Sequence, residues 1–370
     1  MNPSLPVPCT KWKIGWGVTD QCNMGCRFCY SSRVRRNGQT LPLEVLKTFV
    51  DRNNTHIESI NYGTGENTLS PIWNELLLYI TRAYGIPQAL TTNGSLAPLV
   101  KDNPDREIIL TSLAEVDVSI DFADPQKHCA MRRHPKAYQW ALDTIKLCRE
   151  RGIQTTIVVL GIDKTLTIDN LRGLFDLAQL YGTFIRINIF RPNQHQRMQP
   201  LSYQALQRAL SFILENHSVA SLGDRLLSAL ITGKAVPEMT GRTSLRILPN
   251  GSITPSTYLV SPEWWLADIQ NARLGDGSLA KLFQNNLAEE SASLEACAPC
   301  TVKDICKGGV LDRRIIWYGS LRERDPYCVS RYQETTWQWK PAREIEYVEG
   351  PKIHDGYLPT LIFAAGRRQA

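Results

Sequence analysis

Two features that would place a chain in or across a membrane are missing from this sequence. No apolar run reaches the roughly 18–20 residues that a spanning helix needs, although apolar residues make up 43% of its 370 residues. The first eight residues carry no basic flank and no apolar core, so we expect no signal peptide. Together these absences predict a cytoplasmic protein without a membrane partner.

A strong excess of one charge sign is also missing. Charged residues make up 21% of the chain, the net charge is +6 and the isoelectric point is near 8.7. No stripe of alternating basic and aromatic residues is present, which disfavours nucleic acid as a partner. The composition is that of an ordinary globular protein, long enough for one large domain and a smaller one.

Histidine is absent from the part of the chain where a zinc site would need it. Cys22, Cys26 and Cys29 form a CxxxCxxC pattern after the apolar run 14–18, and no histidine lies within twenty residues of them. Ten cysteines without an export signal favour metal ligation over disulfides. Three thiolates on one loop can hold three irons of a [4Fe–4S] cluster, which leaves the fourth iron open for chemistry.

The stretch 22–29 resembles the signature of the radical S-adenosylmethionine (radical SAM) enzymes, CxxxCxΦC, in which Φ is aromatic and is Phe28 here. The resemblance implies that the amino and carboxylate groups of S-adenosylmethionine chelate the open iron. It also implies that one electron from the cluster releases a 5′-deoxyadenosyl radical. Cys22, Cys26 and Cys29 would then be metal ligands and the catalytic core, and an external electron donor would be a partner.

Strand-like runs alternate with helix-like runs in the first part of the chain, which predicts parallel βα units. We predict strands at 14–18, 59–62, 88–92, 116–120, 154–160 and 184–190. We predict helices at 43–53, 72–84, 138–151, 171–180 and 203–216. The fold class is therefore α/β, a partial (β/α)6 barrel of the TIM type, with its site at the C-terminal ends of the strands.

Further cofactor-binding candidates fall at those strand ends. The run 63–67 looks like the family's Gly-Gly-Glu motif, so the resemblance assigns Gly65 and Glu66 to the methionyl amino group. Thr64 departs from the motif. Glycines suit this role because they let backbone carbonyls approach an ammonium group closely.

The resemblance extends to two more strand ends and adds Asn93, Ser119 and Arg132 to Phe28 as cofactor-binding candidates. Asn188, facing inward or outward on the sixth predicted strand, is a further candidate. Asn93 precedes a glycine, so a plain turn is an equal alternative. Ser119 and Arg132 would hold the ribose or the carboxylate of the cofactor, because a guanidinium can grip a carboxylate with two hydrogen bonds. The alternatives are an exposed arginine at the start of a helix, or Arg133 in the same role.

A second cysteine group consists of Cys297, Cys300, Cys306 and Cys328. By spacing alone, zinc and iron–sulfur are equally good interpretations. The segment resembles the SPASM extension of radical SAM enzymes, which normally holds two auxiliary [4Fe–4S] clusters. Val310 and Ser256 stand where the family has ligands of the first auxiliary cluster. The resemblance therefore implies one auxiliary [4Fe–4S] cluster, held by the four cysteines.

From these signals we expect a radical SAM partial barrel over 1–220 and a linker or bridging region over 221–243. A SPASM-like, iron–sulfur C-terminal domain would follow over 244–340, beginning with a hairpin around the turn 249–251, and a tail would cover 341–370. The sequence does not decide whether the tail packs on the barrel or docks a partner.

The family resemblance implies a maturase that abstracts hydrogen from a ribosomally made precursor peptide. Only about thirteen residues precede the first predicted strand, so we expect a separate small leader-recognition protein, or recognition by the barrel itself. The missing auxiliary ligands favour a splicease, which excises a tyramine unit. The alternatives are a crosslinking or oxidising maturase of the sulfatase-maturase type, and a non-catalytic iron–sulfur or zinc redox sensor.

Overall fold

The computed structural model describes residues 11–33, 39–101, 107–192, 198–279, 295–332 and 344–366. Cys9 lies outside these residues. The seven cysteines predicted to bind metal all lie within them.

One sheet of eleven strands runs through the described chain. Its strands are β1 Trp12–Trp16, β2 Ile57–Tyr62, β3 Gln88–Thr92, β4 Glu115–Ser119, β5 Gln154–Gly161, β6 Phe184–Ile189, β7 Ser218–Leu222, β8 Ser244–Ile247, β9 Ser252–Thr254, β10 Ala267–Asp268 and β11 Leu361–Ala364. Strands β1 to β6 are neighbours in chain order and pair in parallel. This arrangement confirms the predicted α/β fold with six parallel strands.

Helices connect and cover these strands. They are α1 Leu43–Asn53, α2 Pro71–Tyr84, α3 Leu96–Lys101, α4 Glu107–Thr111, α5 Pro125–Arg132, α6 Ala137–Glu150, α7 Ile168–Tyr181, α8 Tyr203–Asn216, α9 Arg225–Thr232, α10 Lys303–Cys306 and α11 Leu311–Tyr318. Across the described ranges, none of them has the length and apolar character needed to cross a bilayer.

Helix α2 shows how the local sequence sets the boundaries. The Ser70 side chain accepts a hydrogen bond from the Trp73 N–H, and Pro71 occupies the first helical position. At the other end, Gly85 adopts a left-handed conformation and its N–H donates to the carbonyls of Ile80 and Thr81. These local signals explain why the predicted helix, 72–84, is within one residue of the observed one.

The sheet continues across the predicted domain boundary at residue 244. Strand β8 pairs in parallel with β1, and β9 pairs antiparallel with β8 through the predicted hairpin. Within the segment predicted as a linker, α9 is a regular helix whose first turn is capped by Asp224. The division into domains stays a prediction, but these pairings tie the hairpin directly to the first barrel strand.

The C-terminal segment packs inside the barrel, which answers the question that the sequence left open. Strand β11 inserts between β6 and β7, antiparallel to both. Just before it, the backbone N–H groups of Lys352, Ile353 and His354 donate to the Glu115 carboxylate over 2.5, 3.0 and 3.1 Å. The His354 Nδ1 atom lies 3.0 Å from the same carboxylate. Glu115 therefore anchors the segment at the start of β4.

We expect Glu115→Gln to lower the free energy of unfolding near neutral pH. Burial opposes ionisation of Glu115, but the hydrogen bonds and the charge of His354 prevail and lower its pKa from 4.5 to about 2. This difference corresponds to roughly 3 kcal/mol of stability, present above the unfolded pKa and lost as the pH falls from about 4.5 to 2. Urea unfolding of the cluster-free protein at pH 7 and at pH 3.5 measures it.

The control for that variant is Glu349→Gln, which removes an exposed carboxylate whose ion pair with Lys352 is also exposed. Exposed pairs contribute little, so its free energy of unfolding should stay near that of the wild type at both pH values. Equal effects of the two substitutions at pH 7 would show that Glu115 does not anchor the segment.

Candidate functional site

The cluster loop, residues 22–29, follows β1 at the C-terminal edge of the parallel strands. Cys22, Cys26 and Cys29 all line one pocket together with Phe28. The Cys26 sulfur is buried and lies 3.7 Å from the Arg132 carbonyl, and the Cys29 sulfur lies 3.0 Å from the Ser31 hydroxyl. The structure therefore brings the three predicted iron ligands to one cavity wall.

Electrostatics around Cys26 disfavour its free thiolate. Burial raises the pKa of the Cys26 thiol, the Arg132 guanidinium lowers it, and the neighbouring sulfurs of Cys29 and Cys22 raise it again. A bound metal reverses this situation, because a coordinating thiol is deprotonated outright. Across the described ranges, no three His, Cys, Asp or Glu side chains form a site for a single metal ion. A cluster, by contrast, spreads its thiolates over separate irons.

The loop after β2 packs directly against the cluster loop. Gly65 has φ +61°, and a Cβ atom there would overlap the Gln21 carbonyl and lie 2.8 Å from the Thr19 carbonyl. The next residue, Glu66, donates its backbone N–H to Gln21 over 2.7 Å. Only glycine fits at position 65, because both the backbone angle and the close approach exclude a side chain.

Thr64 is the departure from the family motif, and the structure shows its cost. Its φ is +87°, a conformation that a β-branched residue rarely adopts. Its side chain packs against Gly17, where a Cβ atom would lie 2.7 Å from the Thr64 Cβ. The threonine is thus accommodated by a glycine on the neighbouring strand end.

Glu66 is placed differently from the other predicted cofactor residues. Its buried carboxylate accepts hydrogen bonds from the Thr68 and Thr92 hydroxyls, over 2.8 and 2.9 Å, and from the Asn93 N–H over 2.8 Å. Burial raises its pKa, whereas these hydrogen bonds lower it. The side chain joins the ends of β2 and β3 and is not among the residues that line the pocket.

Asn93, Ser119 and Asn188 line the same pocket from three different strand ends. The Asn93 amide donates to Asn23 over 2.8 Å and lies 3.7 Å from the Cys22 sulfur, so it also fixes the cluster loop. Ser119 ends β4, and Asn188 faces inward on β6. The structure therefore gathers at one cavity polar groups that are up to 95 residues apart in sequence (188 − 93 = 95).

Arg132 lines the pocket as well, but its charge is already paired. Its Nε atom donates to the Asp121 carboxylate over 2.8 Å, and its guanidinium lies 5.0 Å from the centre of the Phe28 ring. Asp121 is held in turn by the Leu160 N–H over 3.0 Å. This chain of contacts connects the end of α5 to the cluster loop.

The lining of the cavity has the chemistry that a cluster and its cofactor need. The cavity is open to solvent on one side, and its lining combines residues of the cluster loop, of the loop after β2 and of the other strand ends. Its thiols, its close-packed glycine loop and its polar strand ends supply the donor types that a [4Fe–4S] cluster and an ammonium-bearing cofactor need. The residues present fit both groups.

One wall of the pocket was not predicted from the sequence. It is built by Arg246 on β8, by Thr257 and Tyr258 after β9, and by Tyr357 of the C-terminal segment. The Tyr357 hydroxyl lies 2.6 Å from the Thr257 hydroxyl and accepts a hydrogen bond from Arg246 over 3.1 Å. The ring of Tyr357 is accommodated by Gly15 of β1, which has no Cβ atom. No signal in the sequence analysis placed Arg246 or Tyr357 at this wall.

The second cysteine group also comes together. Burial and the neighbouring sulfurs of Cys328 and Cys300 raise the pKa of Cys297. Burial raises the pKa of Cys306 to about 12. Cys328 and Cys297 are also among the groups that raise the pKa of Cys306. The buried side chain of Asp325 organises the site, because it accepts from the Val310 N–H over 3.0 Å and pairs with Arg313 over 2.7 Å, while its carbonyl accepts from the Cys328 N–H.

Ser256 and Val310, which stand where the resemblance implies cysteines, make buried contacts here. The Ser256 hydroxyl donates to Asp312 over 2.7 Å, and Asp312 pairs with Arg191 over 2.9 Å. Val310 is buried at the start of α11. Both side chains therefore take part in buried contacts within the protein.

Comparisons with known proteins show what this chain is similar to. The family model described as the Radical SAM superfamily matches residues 16–178. The mycofactocin maturase MftC of Mycolicibacterium smegmatis is 24% identical over 340 residues, which cover 85% of this chain and 82% of that protein. The AdoMet-dependent heme synthase of Nitratidesulfovibrio vulgaris is 26% identical over 175 residues, or 45% and 44% of the two chains.

Solved structures show the same fold. The crystal structure of Streptococcus suis SuiB bound to the precursor peptide SuiA has a TM-score of 0.70 at 16% identity and covers 86% of this chain and 76% of that one. The anSMEcpe structure with bound AdoMet has a TM-score of 0.67 at 18% identity, with coverage of 87% and 92%.

Proposed function

Because residues 16–178 are a radical SAM domain, we propose that this radical SAM enzyme modifies a ribosomally made precursor peptide. The observation that carries the proposal is the likeness, over 86% of this chain, to a structure that holds a precursor peptide. The match to a maturase over 85% of the chain points the same way.

Cluster and cofactor together would supply hydrogen-atom abstraction from the substrate. We assign the three irons to Cys22, Cys26 and Cys29. The carbonyls of the glycine loop at 63–65 would accept from the methionyl ammonium group, since this loop packs against the start of the cluster loop. Phe28, Asn93, Ser119, Arg132 and Asn188 would line the rest of the cofactor site, and Glu66 would act as a positioning residue that holds the ends of β2 and β3.

Within the maturase class we propose excision of a tyramine unit, as in a splicease. The support is the replacement of two auxiliary ligands by Ser256 and Val310, both of which are engaged in buried contacts. A separate leader-recognition protein and an external electron donor belong to the same proposal, as does a cytoplasmic location.

The test is anaerobic co-expression with each short open reading frame beside the gene, with and without any small neighbouring recognition protein. Intact-mass spectrometry then reads the product. Loss of a tyramine-sized fragment supports the splicease, and loss of two hydrogens supports a crosslinking or oxidising maturase. Unchanged peptides, in cells where the protein still forms 5′-deoxyadenosine, would contradict the peptide-maturase proposal. The Cys26→Ala variant is the matched control.

We also propose one auxiliary [4Fe–4S] cluster, held by Cys297, Cys300, Cys306 and Cys328. Two clusters give about eight irons per reconstituted chain, and Cys306→Ala should lower the count to about four while the radical SAM cluster stays. Iron and zinc analysis measures both. One equivalent of zinc in place of four irons would show that this site is a zinc site.

A further inference from the structure

Four arginines line the pocket, and three of them are neutralised by a carboxylate. Arg132 pairs with Asp121 over 2.8 Å, Arg186 with Asp117 over 2.5 Å and Arg191 with Asp312 over 2.9 Å. The fourth arginine is Arg246. None of the carboxylates in the described ranges forms an ion pair with it.

Arg246 is nevertheless as deeply buried as the other three, with 1% of its surface exposed. Its Nη2 atom donates to the Gly63 carbonyl, and its Nη1 atom donates to the Tyr357 hydroxyl over 3.1 Å. Both acceptors are neutral. Its Nε–H finds no acceptor among the described residues, although a guanidinium carries five N–H donors.

A buried charge without a counter-ion costs several kcal/mol, so proteins either pair such a group or use it for a ligand. The position of Arg246 favours the second explanation. It lies at the wall of the pocket, and it touches Gly63, the first residue of the loop that we assign to the methionyl group. A ligand that reaches this wall would supply the missing negative charge.

We propose that Arg246 binds a carboxylate that enters the pocket. A carboxylate matches the flat donor edge of a guanidinium and forms hydrogen bonds that are roughly twice as strong as neutral ones. Two carboxylates reach such a pocket: the methionyl carboxylate of the cofactor, and a carboxylate of the substrate peptide, whether C-terminal or on a side chain. The second source rests on the proposed function, and the first does not.

The first experiment measures binding of S-adenosylmethionine and of decarboxylated S-adenosylmethionine to the cluster-loaded protein by equilibrium dialysis. Chelation of iron gives the wild type a preference for the carboxylated form in any case. If Arg246 holds the methionyl carboxylate, Arg246→Gln reduces that preference by about tenfold, because it removes a charge-assisted hydrogen bond. Arg246→Lys, which keeps the charge, retains part of the preference.

The second experiment measures peptide binding to the cofactor-bound protein by ultrafiltration and mass spectrometry. The probes are N-acetyl hexapeptides of random sequence without Asp or Glu, made with a free C-terminal carboxylate or as amides. A third pool, amidated, contains one Asp or Glu. Wild-type protein should retain the pool with the recognised carboxylate several-fold better than the neutral amides, and Arg246→Gln should lose this selectivity.

Arg242→Gln is the matched control, since it removes an exposed arginine from the turn that precedes β8. Thermal denaturation checks that each variant folds. If Arg246→Gln does not fold, Arg246→Lys takes its place in both experiments. Loss of either carboxylate preference in Arg246→Gln alone supports the proposal. If both preferences match those of the wild type, Arg246 does not bind a carboxylate, whatever the substrate class proves to be.

Discussion

The Cys26→Ala variant is expected to form no 5′-deoxyadenosine from S-adenosylmethionine under anaerobic reducing conditions. In the proposed site only three protein thiolates would hold the cluster, so the loss of one would leave two, too few to keep the cluster in place. Cys26 is also the most buried of the three, and its sulfur is fixed by the Arg132 backbone and guanidinium. Measured by chromatography, the amount of 5′-deoxyadenosine formed by the variant should equal the background amount found with iron-free protein.

Cys148→Ala is the control for that substitution. Cys148 is a fully buried thiol on α6 that is not among the pocket-lining residues, and burial raises its pKa to about 12. Its replacement leaves a small void that costs about 1 kcal/mol and should leave cofactor cleavage intact. Cofactor cleavage by Cys26→Ala at the rate of the wild type would overturn the assignment of the radical SAM cluster.

The Gly65→Ala variant is expected to weaken cofactor binding by at least about tenfold and to destabilise the fold by roughly 2–5 kcal/mol. The left-handed backbone, φ +61°, costs an alanine about 1–2 kcal/mol. The overlap with the carbonyls of Gln21 and Thr19 adds about 1–3 kcal/mol, because the cluster loop must shift. Urea unfolding and equilibrium dialysis of the cofactor measure the two effects.

Gly85→Ala is the control that separates the cost of the left-handed backbone from the cost of the overlap with the cluster loop. Gly85 has nearly the same φ, +62°, but a Cβ atom there would meet no atom within 4 Å. Its cost should therefore be the backbone contribution of about 1–2 kcal/mol alone, with cofactor binding unchanged. If the two variants were equally stable and bound the cofactor equally well, the glycine loop would not depend on its contact with the cluster loop.

Local signals in the sequence were sufficient for most of the barrel. Helices α1 and α8 and strand β3 have the predicted boundaries, because each combines a clear periodicity with nearby capping or turn residues. Strand β1 was predicted at 14–18 but spans Trp12–Trp16. Its ladder ends early since the Val18 N–H is taken by the Asn67 side chain over 3.0 Å, a contact between residues 49 positions apart that periodicity does not reveal.

The site residues likewise fall into those that the sequence predicts and those that only the tertiary structure reveals. The spacing of Cys22, Cys26 and Cys29 identifies the chemistry, because three ligands on one short loop must be close in space whatever the rest of the chain does. The strand-end residues Asn93, Ser119 and Asn188 were also predictable, since parallel strands deliver their C-terminal ends to one edge.

Only the tertiary structure decided how charges are paired around the pocket and what its far wall is made of. Arg246 and Tyr357 meet across 111 positions of sequence, and His354 reaches Glu115 across 239. Such contacts depend on where the C-terminal segment packs, and that depends on which buried donors and acceptors it can satisfy inside the barrel. A carboxylate that holds three successive N–H groups leaves no periodic trace in sequence, because the hydrogen bonds are made by the backbone, which is the same for almost every residue type.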